Sequence, residues 1–273
     1  MIFRSHVPGP PLSDFVELMW FGEDYIVPHA LERVMPTGDM SLIVNLYEDS
    51  TRVYDSTNQA KYKTLNGMIV VGAHSEFAVI DTAEQRSTMG AVFKPGGGFP
   101  FFKLPASELQ HTNVELETLW GAEARYLRER LLAAKTPEAK FDIFERALLA
   151  KIVKPLDPPH PAVRFAVGNF RRLPNQPISG VTDQIGLSER RFIQLFAQHV
   201  GLTPKLFCRV QRFQKVLRHI ARSASIDWTE IALSCGYFDQ AHFIHDFRAF
   251  SGINPSSYVA NKTDFQNHVV IAS

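Results

Sequence analysis

The sequence predicts an α+β protein, with a β-rich N-terminal domain followed by an all-α C-terminal domain. Short β-branched runs between turn residues fill residues 1–112, and helical apolar spacing replaces them afterwards. A proline-rich segment separates the two halves of the 273-residue chain, a length that is comfortable for two domains. We therefore expect a β-barrel-like (cupin-like) domain with trailing helices, and then a helical domain.

The composition is that of a globular protein, with 45% apolar and 21% charged residues. The sequence has no apolar run of about 18 residues, and its first residues lack the basic and apolar regions of a signal peptide. Cys208 and Cys235 are too few ligands for a structural zinc, and we expect them to be buried free thiols in a reducing cytoplasm. We expect no cofactor, no metal and no membrane partner.

The net charge of +1 hides an asymmetry between the two halves. Residues 1–154 contain 16 Lys and Arg against 20 Asp and Glu, whereas residues 155–273 contain 13 against 8. A basic C-terminal half attached to an acidic N-terminal half fits nucleic-acid binding by the former. The excess of five positive charges is weak evidence alone, because many solvated helical faces reach it.

The N-terminal half contains runs with the length and β-branched content of strands. Clusters of Gly, Asn, Asp and Pro separate these runs, a spacing typical of a barrel or a sandwich. The predicted strands are 41–47, 68–71, 77–80 and 89–93. The half is also rich in aromatic residues that either line a pocket or form plain core, and plain core is the commoner role. These residues are Trp20, Phe21, Tyr25, Tyr47, Phe93 and Phe99.

Three consecutive glycines, Gly96 to Gly98, follow the last predicted strand. Such a loop could line a phosphate site, but no GK[ST] follows and the spacing is not that of a P-loop. We favour a tight turn that leads to an aromatic anchor.

Residues 113–154 change to a helical period. Tyr126, Leu127, Leu131 and Leu132 form one apolar face, and Thr136 with Pro137 predicts the start of the next helix. Phe141, Phe144, Leu148 and Ile152 continue the apolar pattern.

Four prolines among residues 154–161 predict a short stiff linker. The expected organisation is an N-terminal regulatory or dimerisation domain at 1–154 (β-rich 1–112, helical 113–154), a linker at 155–161, a helical domain at 162–260 and a tail at 261–273. The tail lacks helical periodicity and is either a short strand or a disordered end, with no assigned function.

The most informative stretch is 227–258, which has the pattern of a helix, a tight turn at Gly236 and a second helix. Fifty-one residues upstream the same ending occurs, since FAQHVGLTPKLF matches FRAFSGINPSSY. Phe192 and Phe196 then correspond to Phe243 and Phe247, which face a core at i,i+4 spacing. A doubled helix-turn-helix is far more specific than a single one.

This region, from Pro161 to Tyr258, resembles the AraC/XylS family of transcriptional regulators, most specifically over IALSCGYFDQAHFIHDFRAFSGINPSSY. The resemblance implies two helix-turn-helix units joined by a long helix at about 204–222, each with a recognition helix in the major groove. The joining helix would bury Val210, Phe213, Val216, Leu217 and Ile220. Thr182 stands where the family usually has Ala, and Val259 stands where Arg is frequent, a departure that removes a possible phosphate contact without threatening the fold.

Three N-terminal segments also resemble some AraC-type regulators, namely RVMPTGDMSLIVNL, Val71-Gly72 and VFKPGGGFPFFKLPASEL. In this family, antiparallel helices such as those expected at 113–154 often form a dimer contact. The apolar stripes of these helices either make such a contact or pack on the β-rich domain.

Side chains opposite the buried stripe of each recognition helix are the candidates for DNA contact. Arg pairs bidentately with guanine and Gln with adenine, which favours Arg190 and Gln194 as base contacts. The expected base contacts, including those that the resemblance implies, are Arg190, Ile193, Gln194, Gln240, Ala241, Ile244 and His245. The expected phosphate contacts, which position the protein without specifying sequence, are Arg191, Lys205 and Arg248. The two units would reach successive major grooves roughly 34 Å apart.

A rival interpretation is a metal-dependent cupin-like enzyme fused to a DNA-binding module. Barrel metal sites need converging His and carboxylate ligands, but His6, His29, His74 and His111 are scattered and the N-terminal half has no cysteine. We therefore expect a cytoplasmic, non-enzymatic, sequence-specific regulator of transcription that binds double-stranded promoter DNA. Its N-terminal domain would respond to a small-molecule effector, form a homodimer or do both, and an activator would also contact RNA polymerase.

Overall fold

The computed structural model of the chain describes residues 1–152, 159–223 and 225–271. The strands in these ranges are β1 (Ile2–His6), β2 (Val16–Glu23), β3 (Leu31–Val34), β4 (Met40–Asn45), β5 (Ser50–Tyr54), β6 (Tyr62–Asn66), β7 (Met68–Val71), β8 (Ala78–Asp81), β9 (Ser87–Phe93), β10 (Asn113–Glu115) and β11 (His268–Val270). The helices are α1 (Phe99–Phe102), α2 (Leu116–Trp120), α3 (Ala122–Ala133), α4 (Pro137–Lys151), α5 (Pro161–Arg172), α6 (Ile178–Ile185), α7 (Glu189–Val200), α8 (Pro204–Arg222), α9 (Trp228–Ser234), α10 (Gln240–Ser251) and α11 (Pro255–Asn261).

The strands form antiparallel sheets, the largest with the order β1-β2-β9-β4-β7-β10. A second sheet has the order β11-β3-β8, and β5 pairs with β6 in a third. The predicted strands are present as β4, β7, β8 and β9, shifted by at most two residues. The α+β fold class is confirmed, although within the described residues the sheets stay open and do not close into a barrel.

The two faces of the large sheet have different roles because side chains alternate along each strand. One face packs in a common core with the trailing helices, and its residues Phe21, Val44 and Phe93 are fully buried. The alternate positions, such as Trp20 and Ile43, face a cavity instead. Of the six aromatic residues named from the sequence, Phe21 and Phe93 are core, Trp20 and Tyr25 line the cavity, and Tyr47 and Phe99 are exposed.

The trailing helices pack onto the N-terminal domain through part of the predicted stripes. Leu127, Leu131 and Phe144 are buried, and the hydroxyl of Thr136 caps α4 by accepting a hydrogen bond from the amide of Ala139 at 3.2 Å. The prediction that one apolar face includes Tyr126 and Leu132 was wrong in part, because these two side chains are 62% and 46% exposed. They lie on α3 outside its buried stripe, which consists of Ala124, Leu127 and Leu131.

The glycine loop forms a tight turn, in agreement with the favoured interpretation. Gly96 has a φ of +86°, and a side chain at Gly97 would collide with the carbonyl oxygen of Phe15. The turn leads directly into α1, which buries Phe101 and Phe102 in the core. The glycines are therefore explained by backbone geometry and close approach.

The C-terminal domain is helical, with α8 running from Pro204 to Arg222 between two helix-turn-helix units. All five residues expected on the inner face of α8 are buried. Cys208 and Cys235 are buried free thiols, and burial raises the pKa of Cys208 to about 12. Most of the predicted linker lies outside the described residues, so the linker stays a prediction.

The tail returns to the N-terminal domain, where β11 pairs with β3. Of the two readings of the tail, the short strand is the one observed. No helix in the described ranges is both long enough and apolar enough to span a membrane.

Candidate nucleic-acid interface and cavity

Each unit consists of a short helix, a turn and a recognition helix, α6 with α7 and α9 with α10. Gly186 (φ +68°) and Gly236 (φ +87°) occupy the left-handed region at the two turns, where a side chain would be strained. Ser188 and Asp239 cap the recognition helices, each accepting a hydrogen bond from the amide three residues later, at 3.4 and 2.7 Å. The sequence thus fixes where both recognition helices begin.

The inner faces of the two recognition helices are equivalent. Phe192 and Phe196 of α7 are fully buried with their ring centroids 5.6 Å apart. Phe243 and Phe247 of α10 are equally buried, at 5.7 Å. The repeat seen in the sequence is therefore a repeat in packing, and it fixes which sides of α7 and α10 face outward.

In the first unit, Arg190, Arg191 and Gln194 are exposed and Ile193 is half-buried. No intramolecular ion pair or side-chain hydrogen bond holds the two guanidinium groups among the described residues. Their donors are therefore available to bases or phosphates. Ile193 is less accessible than the sequence suggested, because it lies beside the buried stripe.

In the second unit, Gln240, Ala241 and His245 are exposed and Ile244 is half-buried. Gln240 lies 3.5 Å from the hydroxyl of Thr229, the outer limit of a hydrogen bond. The exposed surface of α10 thus offers fewer hydrogen-bonding groups than that of α7. Such a surface suits contact with thymine methyl groups and reading of DNA shape.

The expected phosphate contacts also lie at the surface. Lys205 is exposed in the first turn of α8, and Arg248 is exposed in the last turn of α10. Together with Arg191 they place positive charge near the ends of both recognition helices.

Sequence reasoning missed Asp246, which is 1% exposed on the inner face of α10. Its carboxylate accepts a hydrogen bond from Arg209 Nη2 at 2.7 Å and lies 3.7 Å from Arg212 Nη2, both on α8. The i, i+3, i+4, i+7 spacing of Phe243, Asp246, Phe247 and Phe250 could have revealed it, because an acid on a buried stripe needs a partner.

A cavity of about 430 Å³ lies between the free face of the large sheet and the smaller sheets. Trp20, Ile43, Ile69, Val71 and Val92 form its apolar floor. Gly90 belongs to the same face, and a side chain there would lie 2.7 Å from the indole of Trp20. The glycine thus lets the indole lie across the sheet, and the volume is that of small-molecule sites, roughly 300–1,000 Å³.

Two of the scattered histidines meet near this cavity, since the rings of His74 and His111 are 5.5 Å apart. Burial lowers the pKa of His74, and the neighbouring His111 lowers it further, so the ring is neutral at physiological pH. Among the described residues, no group of three or more His, Cys, Asp or Glu side chains could hold a metal ion.

Both recognition helices end against the N-terminal domain. A Cβ at Gly201, after α7, would lie 3.0 Å from Ala73, and one at Gly252, after α10, would lie 2.5 Å from the Phe77 ring. From α8, Gln211 donates a hydrogen bond to the Thr37 carbonyl at 3.1 Å. The cavity-bearing domain and the helix-turn-helix units therefore touch directly.

Comparison with known families divides the chain in the same way. Residues 181–261 match a family described as a helix-turn-helix domain, and residues 4–115 match a domain of unknown function, DUF6597. Residues 181–261 are thus a helix-turn-helix domain. The resemblance to the AraC/XylS family is confirmed, with a β-rich domain preceding the double helix-turn-helix.

Curated relatives match through the helix-turn-helix region. The HTH-type transcriptional activator RhaS of Escherichia fergusonii is 37% identical over 75 residues, which cover 28% of this chain and 27% of RhaS. RhaS of Salmonella arizonae is 40% identical over 68 residues, or 25% and 24% of the two chains. The match therefore spans about a quarter of the length of these relatives.

Two solved structures are similar over different lengths. ToxT from Vibrio cholerae is 10% identical with a TM-score of 0.45, covering 94% of this chain and 98% of ToxT. The xylose-binding transcription activator xylR is 22% identical with a TM-score of 0.33, covering 44% and 38%. TM-scores of this size say nothing about what this chain binds.

Proposed function

We propose that this chain is a sequence-specific DNA-binding regulator of transcription that reads promoter DNA with both helix-turn-helix units. The doubled unit is the observation that carries the proposal. Two recognition helices share a cap, a turn glycine and a buried phenylalanine pair, and each leaves polar side chains exposed. The match of residues 181–261 to a helix-turn-helix family supports it.

Within this proposal the two helices have different tasks. Arg190 and Gln194 of α7 read guanine and adenine through hydrogen bonds. The remaining base contacts are Ile193, Gln240, Ala241, Ile244 and His245. Arg191, Lys205 and Arg248 neutralise phosphates and position the helices.

The N-terminal domain would act as the regulatory part of a cytoplasmic protein. Its cavity has the size of a small-molecule site and lies in a domain that touches α8 directly. A small molecule bound there would favour one arrangement of the two domains. Homodimer formation and contact with RNA polymerase stay predictions from the sequence.

Selection of bound sequences from a random DNA library by the purified full-length chain tests the proposal. The expected result is an enriched motif of two half-sites about one helical turn apart. The selection is repeated over a series of candidate ligands, so that a requirement for an effector is detected. Absence of an enriched motif under all of these conditions would contradict the proposed function.

A further inference from the structure

We propose that the C-terminal tail, residues 262–271, forms a wall of the cavity and links it to α8 and α11 of the helical domain, and that the cavity takes an uncharged, largely apolar small molecule. The proposal deepens the function proposed above, on which it rests, by naming a ligand class and a route of regulation.

The tail is docked as an added strand on the N-terminal domain. β11 pairs with β3 in the antiparallel register His268 to Val34 and Val269 to Arg33. Backbone bonds extend the pairing at both ends, from the Met35 amide to the Asn267 carbonyl at 2.8 Å and from the Ile271 amide to the Leu31 carbonyl at 3.0 Å. Because Val269 is fully buried, the strand is part of the packed structure.

A buried carboxylate reinforces this docking. Glu32 is fully buried and accepts hydrogen bonds from His268 Nδ1 at 2.7 Å and from Tyr25 and His29 at 2.5 Å. Burial alone would raise the pKa of Glu32, but the bonds from His268, Tyr25 and His29 outweigh it and lower the pKa to about 2. A charge-assisted bond of this kind is stronger than a neutral one. The tail is therefore held through His268 as well as through its backbone.

The tail also lines the cavity, through Phe265, Asn267 and His268. The ring of Phe265 lies 5.5 Å from that of Phe3 and 6.1 Å from that of Tyr25, which also line the cavity. One aromatic wall is thus built jointly by the two ends of the chain. A ligand in the cavity would touch the tail directly.

Neighbouring residues of the same tail are bonded to the helical domain. The hydroxyl of Tyr258, in α11, donates to the Gln266 carbonyl at 2.7 Å. Gln214 of α8 donates to Asn267 Oδ1 at 3.0 Å and to the carbonyl of Pro36, another cavity residue, at 2.8 Å. Occupancy of the cavity can therefore alter contacts to the helix that joins the two units.

The ion pairs around the cavity disfavour an anionic ligand. Arg52 pairs with Glu84 at 2.6 Å and with Asp81 at 2.8 Å, and Asp39 pairs with Arg171 at 3.2 Å. His268 is likewise paired with Glu32. Among the described lining residues the Arg52 guanidinium is thus already paired, so an anionic ligand would find no free guanidinium there.

One buried polar atom at the cavity has no hydrogen-bond partner among the described residues, namely His74 Nε2. Because His74 lines the cavity, its ring nitrogen is a candidate to make a hydrogen bond to a bound molecule. An apolar body that carries a hydrogen-bonding group fits this wall.

A matched pair of fluorescent probes tests the ligand class. N-phenyl-1-naphthylamine is uncharged, and 8-anilino-1-naphthalenesulfonate is the same skeleton with a sulfonate. We expect the neutral probe to bind at least about tenfold more tightly, a difference of about 1.4 kcal/mol. Equal or tighter binding of the sulfonate would overturn the assignment of an uncharged ligand.

The wall role of the tail is tested with Phe265→Ala and, as a control, Phe99→Ala, which removes a half-exposed ring outside the cavity. We expect Phe265→Ala to weaken binding of the neutral probe at least about tenfold and Phe99→Ala to leave it unchanged. Equal affinities for the two variants would show that the tail is no part of the site. Far-UV circular dichroism of both variants checks that they fold.

Coupling between the cavity and DNA binding is tested on the full chain with and without the neutral probe. Hydrogen–deuterium exchange and affinity for DNA are measured in both states. We expect the probe to slow exchange in residues 265–271 and to change affinity for the selected DNA motif, and Phe265→Ala to remove both effects. Unchanged exchange, or unchanged DNA affinity, would overturn the tail as the link. Such a result leaves DNA binding intact and so differs from failure of the proposed function, in which no motif is selected.

Discussion

The two helix-turn-helix units are alike in turn, cap and phenylalanine pair, but they are fastened to the rest of the molecule in different ways. Where α7 has Leu195, α10 has Asp246 at the same place in the repeat, and both side chains are buried. Leu195 packs within the apolar core, whereas Asp246 pairs with Arg209 and Arg212 of α8. The packing of the second recognition helix therefore depends on a buried ion pair, and removal of either the carboxylate or its arginine partners is destabilising.

The outer attachments differ as well. Before the first unit, Arg171 of α5 pairs with Asp39 of the N-terminal domain, and after the second unit, His268 of the tail pairs with Glu32. Burial raises the pKa of Asp39 to about 6 despite the nearby Arg171, while the pKa of Glu32 is lowered to about 2. The two units thus share the structure of their recognition helices but differ in how they are attached to the N-terminal domain.

The largest expected effect is that of Asp246→Ala. It leaves Arg209 and Arg212 without their buried partner, so we expect a loss of about 3–5 kcal/mol in the free energy of unfolding. Urea denaturation of the full chain measures it. Combining Asp246→Ala with Arg209→Ala should cost less than the sum of the single changes, whereas strict additivity would show that the ion pair is not what distinguishes the second unit.

The next largest effect on stability distinguishes the Glu32–His268 attachment from the Asp39–Arg171 attachment. Glu32→Gln removes the charge that three donors share, and we expect it to cost about 1.5–3 kcal/mol at pH 7. Asp39→Asn should instead raise stability at pH 7, because burial disfavours the charge that it removes. Thermal unfolding of the two matched amide variants gives the answer, and equal losses would remove the contrast between the attachments.

The pH dependence of stability sharpens the same contrast. Because the folded pKa of Glu32 lies below its ordinary value of 4.5, its contribution is present above that value and is lost as pH falls toward about 2. The pKa of Asp39 is raised from 3.8 to about 6, so its contribution is complete below 3.8 and is lost as pH rises through 6. The free energy of unfolding, measured from pH 3 to 8, should therefore fall between about pH 4 and 6 in the unchanged protein and in Glu32→Gln. This fall should be absent in Asp39→Asn.

For DNA binding, the largest effect should come from the first unit. Arg190→Ala removes a guanidinium that can bond guanine bidentately, and we expect a loss of about 1–3 kcal/mol in binding free energy. His245→Ala should cost less, because α10 offers mainly Ala241, Ile244 and shape. Fluorescence anisotropy with the selected motif compares the two, and a larger loss for His245→Ala would reverse the assigned tasks.

The smallest effect concerns the phosphate contacts. Lys205→Ala should weaken binding to all sequences alike and reduce the slope of log affinity against log salt by about 1. Titrations at several salt concentrations with specific and random DNA measure this. A loss confined to the specific motif would instead make Lys205 a base contact.

Local patterns were sufficient to predict the helix-turn-helix half. The turn at Gly236 and the two buried phenylalanine pairs depend on residues close together in sequence, and each lies where the spacing places it. Four strands of the other half, β4, β7, β8 and β9, were predicted for the same reason, whereas the remaining strands of that half were not.

Contacts between distant residues were beyond sequence reasoning. The bond from His268 to Glu32 joins positions 236 residues apart, and no local period marks the tail as a strand of the N-terminal domain. The open sheets and the exposure of Tyr126 likewise depend on how elements assemble. Asp246 is an intermediate case, since its stripe was readable but its partners on α8 were not.

The central claim is that the two recognition helices read separate half-sites. The most direct test measures affinities of the full chain, Arg190→Ala and Gln240→Ala for the selected motif and for two versions with one half-site replaced. We predict that replacing one half-site removes the effect of Arg190→Ala on affinity and leaves that of Gln240→Ala. Replacing the other half-site should remove the effect of Gln240→Ala and leave that of Arg190→Ala. If both variants lose their effects with the same half-site, or neither does, the two-reader account is contradicted.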